Sequence, residues 1–380
     1  MGGAPACSDS YAGPAPSSAC SALAAVTAFG GPATAAQGKL TVVAEGLNNP
    51  RGIGFGPDGA LYVAESGSGG SGKCIESPED GSQACFGRTG SVTRITRHSQ
   101  KRVLTGLPSL ADKDGVAASG PVDLGFRGWT GYLLIGNPGG DTSTREQLGP
   151  AAGRFGKLLK VDLRGVRSVA DFPRFEQDNN PDNGDPAEGG VDSNPNGLLV
   201  GHRSQYVTDA GGNDLLKVDR KGRVSVVAVF PLGPPAPAPD GTEIPPQAVP
   251  TSVVRGPDGA LYVGQLTGFP FPPHQANVYR VVPGHDPEVF AGGFTNIIDI
   301  AFDKRGRLYV LEIATKGLLN APEDALPVGR LVRVEKNGHR TALAQEGLNA
   351  PGGFVLGHGA AYITNNSILS GAGQVVKVAI

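Results

Sequence analysis

The chain has 380 residues, 59 of them glycine and 32 proline, with 33 lysines and arginines against 35 aspartates and glutamates. This nearly balanced charge, with no long basic run, argues against nucleic acid and anionic membrane surfaces as partners. No apolar run reaches the roughly 18 residues that a membrane-spanning helix needs, so we expect no membrane span.

Residues 1–38 differ in composition from the rest of the chain. They contain no lysine or arginine, a single acidic residue (Asp9) and a small apolar stretch at 22–29. This stretch resembles the second half of a secretory signal peptide, with residues 33–35 as the cleavage site, although the basic N-terminal region is missing. We therefore expect a secreted or extracytoplasmic protein, with residues 1–38 as a leader or flexible tail and 39–380 as one domain.

Cys74 and Cys85 are the only cysteines after the leader, and ten residues separate them. A disulfide between them would rigidify a long loop by restricting its unfolded states. The alternative is a metal-binding pair, but no histidine or further cysteine lies nearby in sequence. We predict the disulfide, which requires an oxidising compartment and so agrees with export.

A short apolar phrase recurs six times along the chain, as in LYVAE at residues 61–65 and LYVLE at residues 308–312. Each copy ends in a polar residue. These six, here called the strand-end residues, are Glu65, Asn137, Asp209, Gln265, Glu312 and Asn365. Each repeat contains four strand-like segments, and four-stranded antiparallel units repeated radially form a β-propeller. We therefore predict an all-β, six-bladed β-propeller.

The two ends of the chain supply the sixth blade. The chain finishes on a third strand at residues 374–378 and begins, after the leader, with an unpaired strand at residues 40–45. Pairing of these two strands would complete the blade and protect its edge.

The long connections between strands all fall on one face of the predicted propeller. They cover residues 66–89, 138–156, 172–194, 231–249, 266–276 and 313–328. Long insertions on one face of a repeat protein commonly mark its binding side. Within the connection 172–194, the segment 176–188 is acidic and turn-rich but lacks the spacing of an EF-hand, so we interpret it as a solvated loop.

The strand-end residues begin these long connections, and the inner strands start at the same face. Inner-strand residues expected at the channel mouth are Arg51, Asp123, Asn196, Thr251, Asp299 and Asn349. Crowded carboxylates repel one another, so they would take a cation or hold ordered water, and both alternatives stay open. An all-oxygen ligand set favours Ca²⁺. The predicted metal ligands are Glu65, Asp123, Asn137, Asp209, Asp299, Glu312 and Asn365.

His274 is the one histidine that the topology assigns to the long-loop face. With Phe269 and Phe271 it could cover an aromatic or apolar ligand; a proline-stiffened loop that packs its phenylalanines inward is the alternative. If the protein is an enzyme, metal-assisted hydrolysis or proton transfer fits best, with His274 as acid or base. Asp209 and Glu312 complete the predicted catalytic set, and ligand contacts are predicted at Arg51, Asn196, Phe269, Phe271 and Asn349.

Several motifs of the chain resemble the ScyD/ScyE family. They include GPDGALYVAESG at 56–67, DSNPNGLL at 192–199 and LTGFPFP at 266–272. The family is named after proteins encoded with the pathway for scytonemin, a cyanobacterial sunscreen pigment. The resemblance implies an exported propeller with a role in maturing an aromatic metabolite, but it supplies no catalytic residues.

More distantly, the architecture resembles NHL-repeat and gluconolactonase-like propellers. The lactonase resemblance implies a divalent ion held by Glu, Asn and Asp at the channel mouth. No nucleotide-binding fingerprint occurs, so we expect no nucleotide cofactor. Two functions remain: a monomer that binds a small metabolite, with or without metal-assisted chemistry, and a non-catalytic scaffold that holds a ligand or an envelope protein.

Overall fold

The computed structural model describes residues 34–35, 38–76, 81–183, 190–321 and 325–380. In this part of the chain, six antiparallel sheets of four or more strands follow one another in sequence. The inner strands of neighbouring sheets pack together around one axis. The fold is therefore the predicted six-bladed β-propeller.

The strands follow in chain order, with the inner strand of each blade first. Two short strands precede the blades: β1 (Thr34–Ala35) and β2 (Thr41–Leu47). Blade 1 contains β3 (Pro50–Phe55), β4 (Leu61–Glu65), β5 (Cys74–Glu76), β6 (Gln83–Thr96) and β7 (Ser99–Ala111). Blade 2 contains β8 (Pro121–Arg127), β9 (Thr130–Ile135), β10 (Lys157–Asp162) and β11 (Gly165–Asp171). Blade 3 contains β12 (Pro195–Val200), β13 (Gln205–Asp209), β14 (Asp214–Val218) and β15 (Val224–Val229).

The second half of the chain repeats this order. A two-stranded ribbon, β16 (Ala236–Pro237) and β17 (Glu243–Ile244), precedes blade 4. Blade 4 contains β18 (Pro250–Arg255), β19 (Leu261–Gln265), β20 (Ala276–Val281) and β21 (Glu288–Phe294). Blade 5 contains β22 (Ile297–Phe302), β23 (Leu308–Glu312), β24 (Arg330–Val334) and β25 (Arg340–Ala344). Blade 6 contains β26 (Gly353–Gly357), β27 (Ala360–Asn365) and β28 (Gly373–Ala379).

Blade 6 is completed by the N-terminal strand, as predicted. Strand β2 pairs antiparallel with β28, with Thr41 opposite Lys377 and Leu47 opposite Gly373. The strand runs to Leu47, two residues beyond the predicted end, because shifts in register let it follow β28 further. The short strand β1 adds a parallel edge to blade 5, beside β25.

The repeated tyrosine of the apolar phrase joins neighbouring blades. Tyr62 of blade 1 packs edge-on against Phe126 of blade 2, with ring centroids 4.8 Å apart. Tyr262 of blade 4 contacts Phe302 of blade 5 in the same way, also at 4.8 Å. Such aromatic pairs bury large apolar areas and have a preferred geometry. The phrase recurs because every blade must cover the sheet beside it.

The turns between first and second strands explain the repeated GPDG motif. In blades 1 and 4, Asp58 and Asp258 accept a hydrogen bond from the backbone N–H two residues later, at 3.2 and 3.1 Å. Gly59 and Gly259 have φ values of 75° and 83°, a left-handed conformation that glycine adopts without steric cost. The sequence therefore fixes these tight turns locally.

The long loops carry more structure than the sequence predicted. Strand β6 begins at Gln83, so the end of the predicted 66–89 loop is a strand. In the described parts of the other long connections lie the helices α1 (Ser143–Leu148) and α2 (Phe172–Asn179) and the 3-10 turns Pro150–Ala152 and Leu318–Asn320. Helix α2 begins where the Asp171 carboxylate accepts the Arg174 N–H.

The predicted disulfide is confirmed. Cys74 of β5 lies directly opposite Cys85 of β6, and their sulfur atoms are bonded. Among the described residues, no helix is both long and apolar enough to cross a membrane.

Candidate functional site

The structure does not bring the strand-end residues together around the axis. Five are the last residue of a second strand and Asn137 follows one, so an inner strand lies between each of them and the channel. All six side chains are buried. Four of them accept the backbone N–H of the segment that leads into the inner strand of a blade. These pairs are Glu65 with Asn48, Asp209 with Asn194, Glu312 with Thr295 and Asn365 with Asn349, at 2.6–2.7 Å.

The other two strand-end residues also form bonds to the loops and strands beside them. Gln265 accepts both the backbone N–H and the side-chain amide of Asn277, each at 3.1 Å. Asn137 donates to the carbonyl oxygens of Ser193 and Asp141. The repeated polar residue therefore holds the lead-in segments and long loops in place, because a buried backbone N–H needs an acceptor where the sheet ends.

The two strand-end glutamates are also held by arginines. Glu65 accepts from Arg102 at 2.8 Å and from the Ser91 hydroxyl at 3.0 Å. Glu312 accepts from Nε and Nη2 of Arg330, each at 2.6 Å. Burial raises the pKa of Glu312, and the charge of Arg330 opposes that rise. These carboxylates are already neutralised by the chain, which does not support their predicted role as metal ligands.

Two of the predicted metal ligands lie in inner strands, and the charge of one acts on the other. Asp123 and Asp299, here called the axial pair, occupy the same position in the inner strands of blades 2 and 5. Asp123 accepts the N–H of Leu124 and, from blade 3, the N–H of Leu198, both at 2.7 Å. Asp299 accepts the N–H groups of Ile300 and, from blade 6, Phe354, both at 2.8 Å. Each carboxylate thus links two neighbouring inner strands.

The inner strands of blades 1 and 2 approach closely at this level because the third residue of β3 is a glycine. In blade 1 this residue is Gly52, and a Cβ atom there would lie 2.8 Å from the Cα atom of Asp123. Glycine is therefore required beside the aspartate. The close approach places the Asp123 carboxylate against the backbone of blade 1.

The pKa values of both carboxyl groups of the axial pair are raised. Burial raises the pKa of Asp123 to about 7, against the lowering effect of the Leu198 and Leu124 amides. Burial also raises the pKa of Asp299 to about 8, and the charge of Asp123 contributes to that rise. Both residues keep some accessible surface, so a water molecule or an ion can reach them. Two partly accessible carboxylates, one of which feels the charge of the other, are suited to binding a cation.

The predicted catalytic residues are only partly brought together. His274 is exposed, and its backbone N–H donates to the Thr295 hydroxyl at 3.1 Å; the Thr295 N–H donates to Glu312. Asp209 instead bonds to Ser193, Asn194 and Gly212, all around blade 3. Burial raises its pKa to about 6. Blades 3 and 5 are not neighbours, so the described contacts do not join Asp209 to His274 or Glu312.

The loop that carries His274 presents an aromatic surface. The Phe269 side chain is 46% exposed, and its ring packs edge-on against Phe271 at 6.3 Å. Asn296 ties this loop to the next one, because it donates to the Leu266 carbonyl at 2.9 Å and accepts the Leu318 N–H at 3.1 Å. The exposure of Phe269 favours the ligand-covering interpretation over inward packing.

The remaining predicted ligand contacts lie on half-buried backbone around the channel. Arg51 donates to the Ala118 carbonyl at 3.2 Å, and the Asn349 N–H donates to Asn365. Asn196, in the inner strand of blade 3, is half-buried.

Asparagines in the lead-in segments have a role that the sequence analysis missed. Asn49 donates to the carbonyl oxygens of Gly67 and Gly115 and accepts the Ala118 N–H, so it joins three loops. Its φ of 48° is left-handed, as is that of Asn296 at 45°. An asparagine directly before an inner strand was the available signal, because asparagine tolerates this conformation and can bond to nearby backbone.

Comparison with known proteins supports the architecture alone. A scan against protein-family models finds no match, and a search of curated protein sequences finds none either. A solved structure of a Bacteroides thetaiotaomicron protein of unknown function is 10% identical over 90% of this chain and 72% of that one, with a TM-score of 0.52. Virginiamycin B lyase from Staphylococcus aureus is 12% identical, over 90% and 99%, with a TM-score of 0.47. Regucalcin from Agrobacterium tumefaciens, a calcium-binding protein, is 11% identical, over 92% and 96%, with a TM-score of 0.49. At such identities only the fold can be compared.

Proposed function

We propose that the chain is an exported β-propeller that binds a small molecule at the long-loop mouth of its axial channel. In this proposal a divalent cation, calcium first, lies near Asp123 and Asp299. The observation that carries the proposal is the axial pair itself: two partly accessible carboxylates at the same position of the inner strands of blades 2 and 5, each with its pKa raised by desolvation.

The chemistry of the axial pair fits a hard cation. Each carboxylate oxygen accepts one backbone N–H and keeps a further lone pair for another ligand. Ca²⁺ takes six to eight oxygen ligands, so two aspartates would leave positions for water and for a polar group of a bound molecule. A bound ion would supply positive charge that orients and polarises that group.

The aromatic loop indicates the class of small molecule. Phe269 is exposed and Phe271 lies beside it, so a flat aromatic or apolar ligand could stack there. Arg51, Asn196 and Asn349 would then provide polar contacts at the channel mouth. The disulfide supports export, because such bonds persist in oxidising compartments. The proposal includes that the chain is a member of the ScyD/ScyE family and that its ligand is an aromatic metabolite.

Binding is a better proposal than catalysis for this site. The catalytic set of His274, Asp209 and Glu312 is divided between separate blades, and Glu312 is neutralised by Arg330. Metal-assisted hydrolysis would need His274 alone to act as acid or base beside the ion. A scaffold that holds an envelope protein through the same face is the remaining alternative.

Isothermal titration calorimetry with calcium chloride tests the proposal. We expect Asp123→Asn and Asp299→Asn each to remove one calcium site from the protein at pH 8. The control Asp114→Asn changes an exposed aspartate paired with Lys113 and should leave binding unchanged. Loss of binding of an aromatic ligand in Phe269→Ala, with calcium binding retained, would support the small-molecule part. Unchanged calcium binding in both axial variants would contradict the proposal.

A further inference from the structure

A second group of carboxylates lies away from the axis, between blade 3 and helix α2. Glu176 of α2, Asp209 at the end of β13 and Asp214 at the start of β14 are each 0% exposed. Asp209 and Asp214 are direct neighbours in the β13–β14 ladder. Here they are called the blade 3 acid cluster. The sequence analysis placed Glu176 in a solvated loop, which the structure corrects.

Local geometry directs the three side chains to one place. Val207 and Leu216 pack in one core cluster with Phe172 of α2. Alternate residues of a strand share a face, so Asp209 and Asp214 lie on the same side of the sheet as Val207 and Leu216. Residues four apart share a face of a helix, so Glu176 follows Phe172 towards that sheet.

A glycine in the connecting loop confirms this approach. A Cβ atom on Gly212 would lie 3.0 Å from Glu176 Oε2 and 3.5 Å from the backbone oxygen of Asp192. The helix carboxylate is therefore packed against the loop between the two strand carboxylates. The Asp192 carbonyl is close enough to this point to contribute a further oxygen.

Two members of the cluster have oxygens that nothing in the described residues satisfies. Both carboxylate oxygens of Asp214, and Oε2 of Glu176, are buried without a hydrogen-bond partner. Asp209 differs, because Ser193 and two backbone N–H groups bond to it. A buried polar group without a partner destabilises the folded state, and an unpaired buried charge does so more strongly.

The pKa values of Glu176 and Asp214 are also raised. Burial and the nearby carboxylates raise the pKa of Glu176 to about 8. Burial, followed by the charges of Asp209 and Glu176, raises the pKa of Asp214 well above its usual range. The site thus has an excess of acidic groups, which either stay protonated or receive a positive charge from outside the chain.

We propose that the blade 3 acid cluster binds a divalent cation, with calcium as the preferred ion. Carboxylate oxygens of Glu176 and Asp214 would be ligands, completed by the Asp192 carbonyl and by water. The described part of the chain contains no ready-made group of three or more His, Cys, Asp or Glu ligands, so neutral oxygens must supply the rest. Asp209, held by its own hydrogen bonds, would add negative charge without moving.

The site has an access route and a structural role. A cleft of about 530 Å³ between blades 3 and 4 is lined by Asp192, Gly211 and Asn213, so an ion can enter beside the cluster. A bound ion would join the helix to the strands and fix α2 on blade 3. This role does not depend on the axial site, so either proposal can fail without the other.

Calcium titration of the full chain, by calorimetry and by thermal unfolding at pH 8, tests the proposal. We expect saturating calcium chloride to raise the Tm over the value in chelator by about 5 °C. Glu176→Gln and Asp214→Asn should each remove one calcium site and most of that shift. Asp178→Asn, on the exposed side of the same helix and paired with Arg174, is the matched control and should bind as the wild type does.

A third measurement uses the wild-type protein alone. Calcium must displace protons from Glu176 and Asp214, so the affinity of this site should fall by at least tenfold per pH unit below pH 8. If either the Glu176 or the Asp214 variant fails to fold, the other variant and this pH dependence decide the question.

The outcomes separate the two sites. Loss of a site in Glu176→Gln or Asp214→Asn, with that site retained in an Asp123→Asn and Asp299→Asn double variant, supports a cation at blade 3. Wild-type protein that binds no calcium, or folded variants that keep every site and the full Tm shift, would overturn the inference and leave the cluster as protonated acids.

Discussion

Replacing Asp299 with asparagine should alter the stability of the propeller in a way that depends strongly on pH. The folded protein raises the pKa of this carboxyl from 3.8 to about 8, mainly through burial. Between these values the folded state holds a proton that the unfolded state releases. The contribution of Asp299 to stability is therefore retained at low pH and declines as the pH rises towards 8.

The size of this loss of stability follows from the difference between the folded and unfolded pKa of Asp299. Each pKa unit corresponds to about 1.4 kcal/mol, so ionisation between pH 5 and pH 8 destabilises the wild type by at most about 4 kcal/mol. Asp299 keeps some accessible surface, and water in the channel would reduce this to about 2 kcal/mol. Asparagine removes the charge, but its amide group must face one of the two N–H groups that Asp299 accepts, which costs about 1–3 kcal/mol.

The variant should therefore be less stable than the wild type at pH 5 and should lose that disadvantage by pH 8–9. Urea unfolding with a chelator present, at pH steps from 5 to 9, measures the difference. In an Asp123→Asn background the pH dependence from Asp299 should shrink, because the charge of Asp123 helps to raise its pKa. Two stability curves that run parallel from pH 5 to pH 9 would refute the reasoning.

Three further predictions concern the framework. Glu65→Gln removes the buried charge that the exposed Arg102 bonds to and should lower the free energy of unfolding by about 1.5–3 kcal/mol in urea unfolding, with calcium binding unchanged. Replacing Cys74 and Cys85 by serine removes the disulfide between two residues 11 positions apart. The free energy of unfolding should fall by about 3 kcal/mol, and limited proteolysis should cut the loop between them. Deleting residues 38–47 removes the outer strand of blade 6, and calorimetric melting should lose its cooperativity.

Clear results would contradict these three predictions. A Glu65→Gln protein as stable as the surface control Asp114→Asn would show that the strand-end clamp is unimportant. Equal protease resistance of the serine variant and the wild type would show that the disulfide does not restrain its loop. A sharp, unshifted melt of the truncated chain would mean that blade 6 does not need β2.

The fold was predictable because its signals are local and repeated. The apolar phrase and the GPDG turns recur in the same order, and each turn is stabilised by its own aspartate and glycine. Closure by the N-terminal strand followed from counting strands, since an unpaired third strand at the C-terminus required a partner. Helix α2 was missed, although Asp171 and Pro173 are a standard helix start.

The site was harder to predict because sequence does not show which way a polar residue at a strand end faces. Glu65 and Glu312 looked equivalent to channel residues, yet both turn into their blades to meet backbone N–H groups and arginines that are distant in sequence. Asp299 was identified because it lies in an inner strand. Asp214 was missed, since its buried position depends on a helix contributed by the preceding connection.

The most direct test of the central claim is the number of calcium ions bound at pH 8, measured by calorimetry for the wild type and for the Asp123→Asn and Asp299→Asn double variant. If the axial channel is the binding site, the double variant binds one calcium ion fewer than the wild type, whatever happens at blade 3. An equal number of ions in the two proteins would contradict the claim.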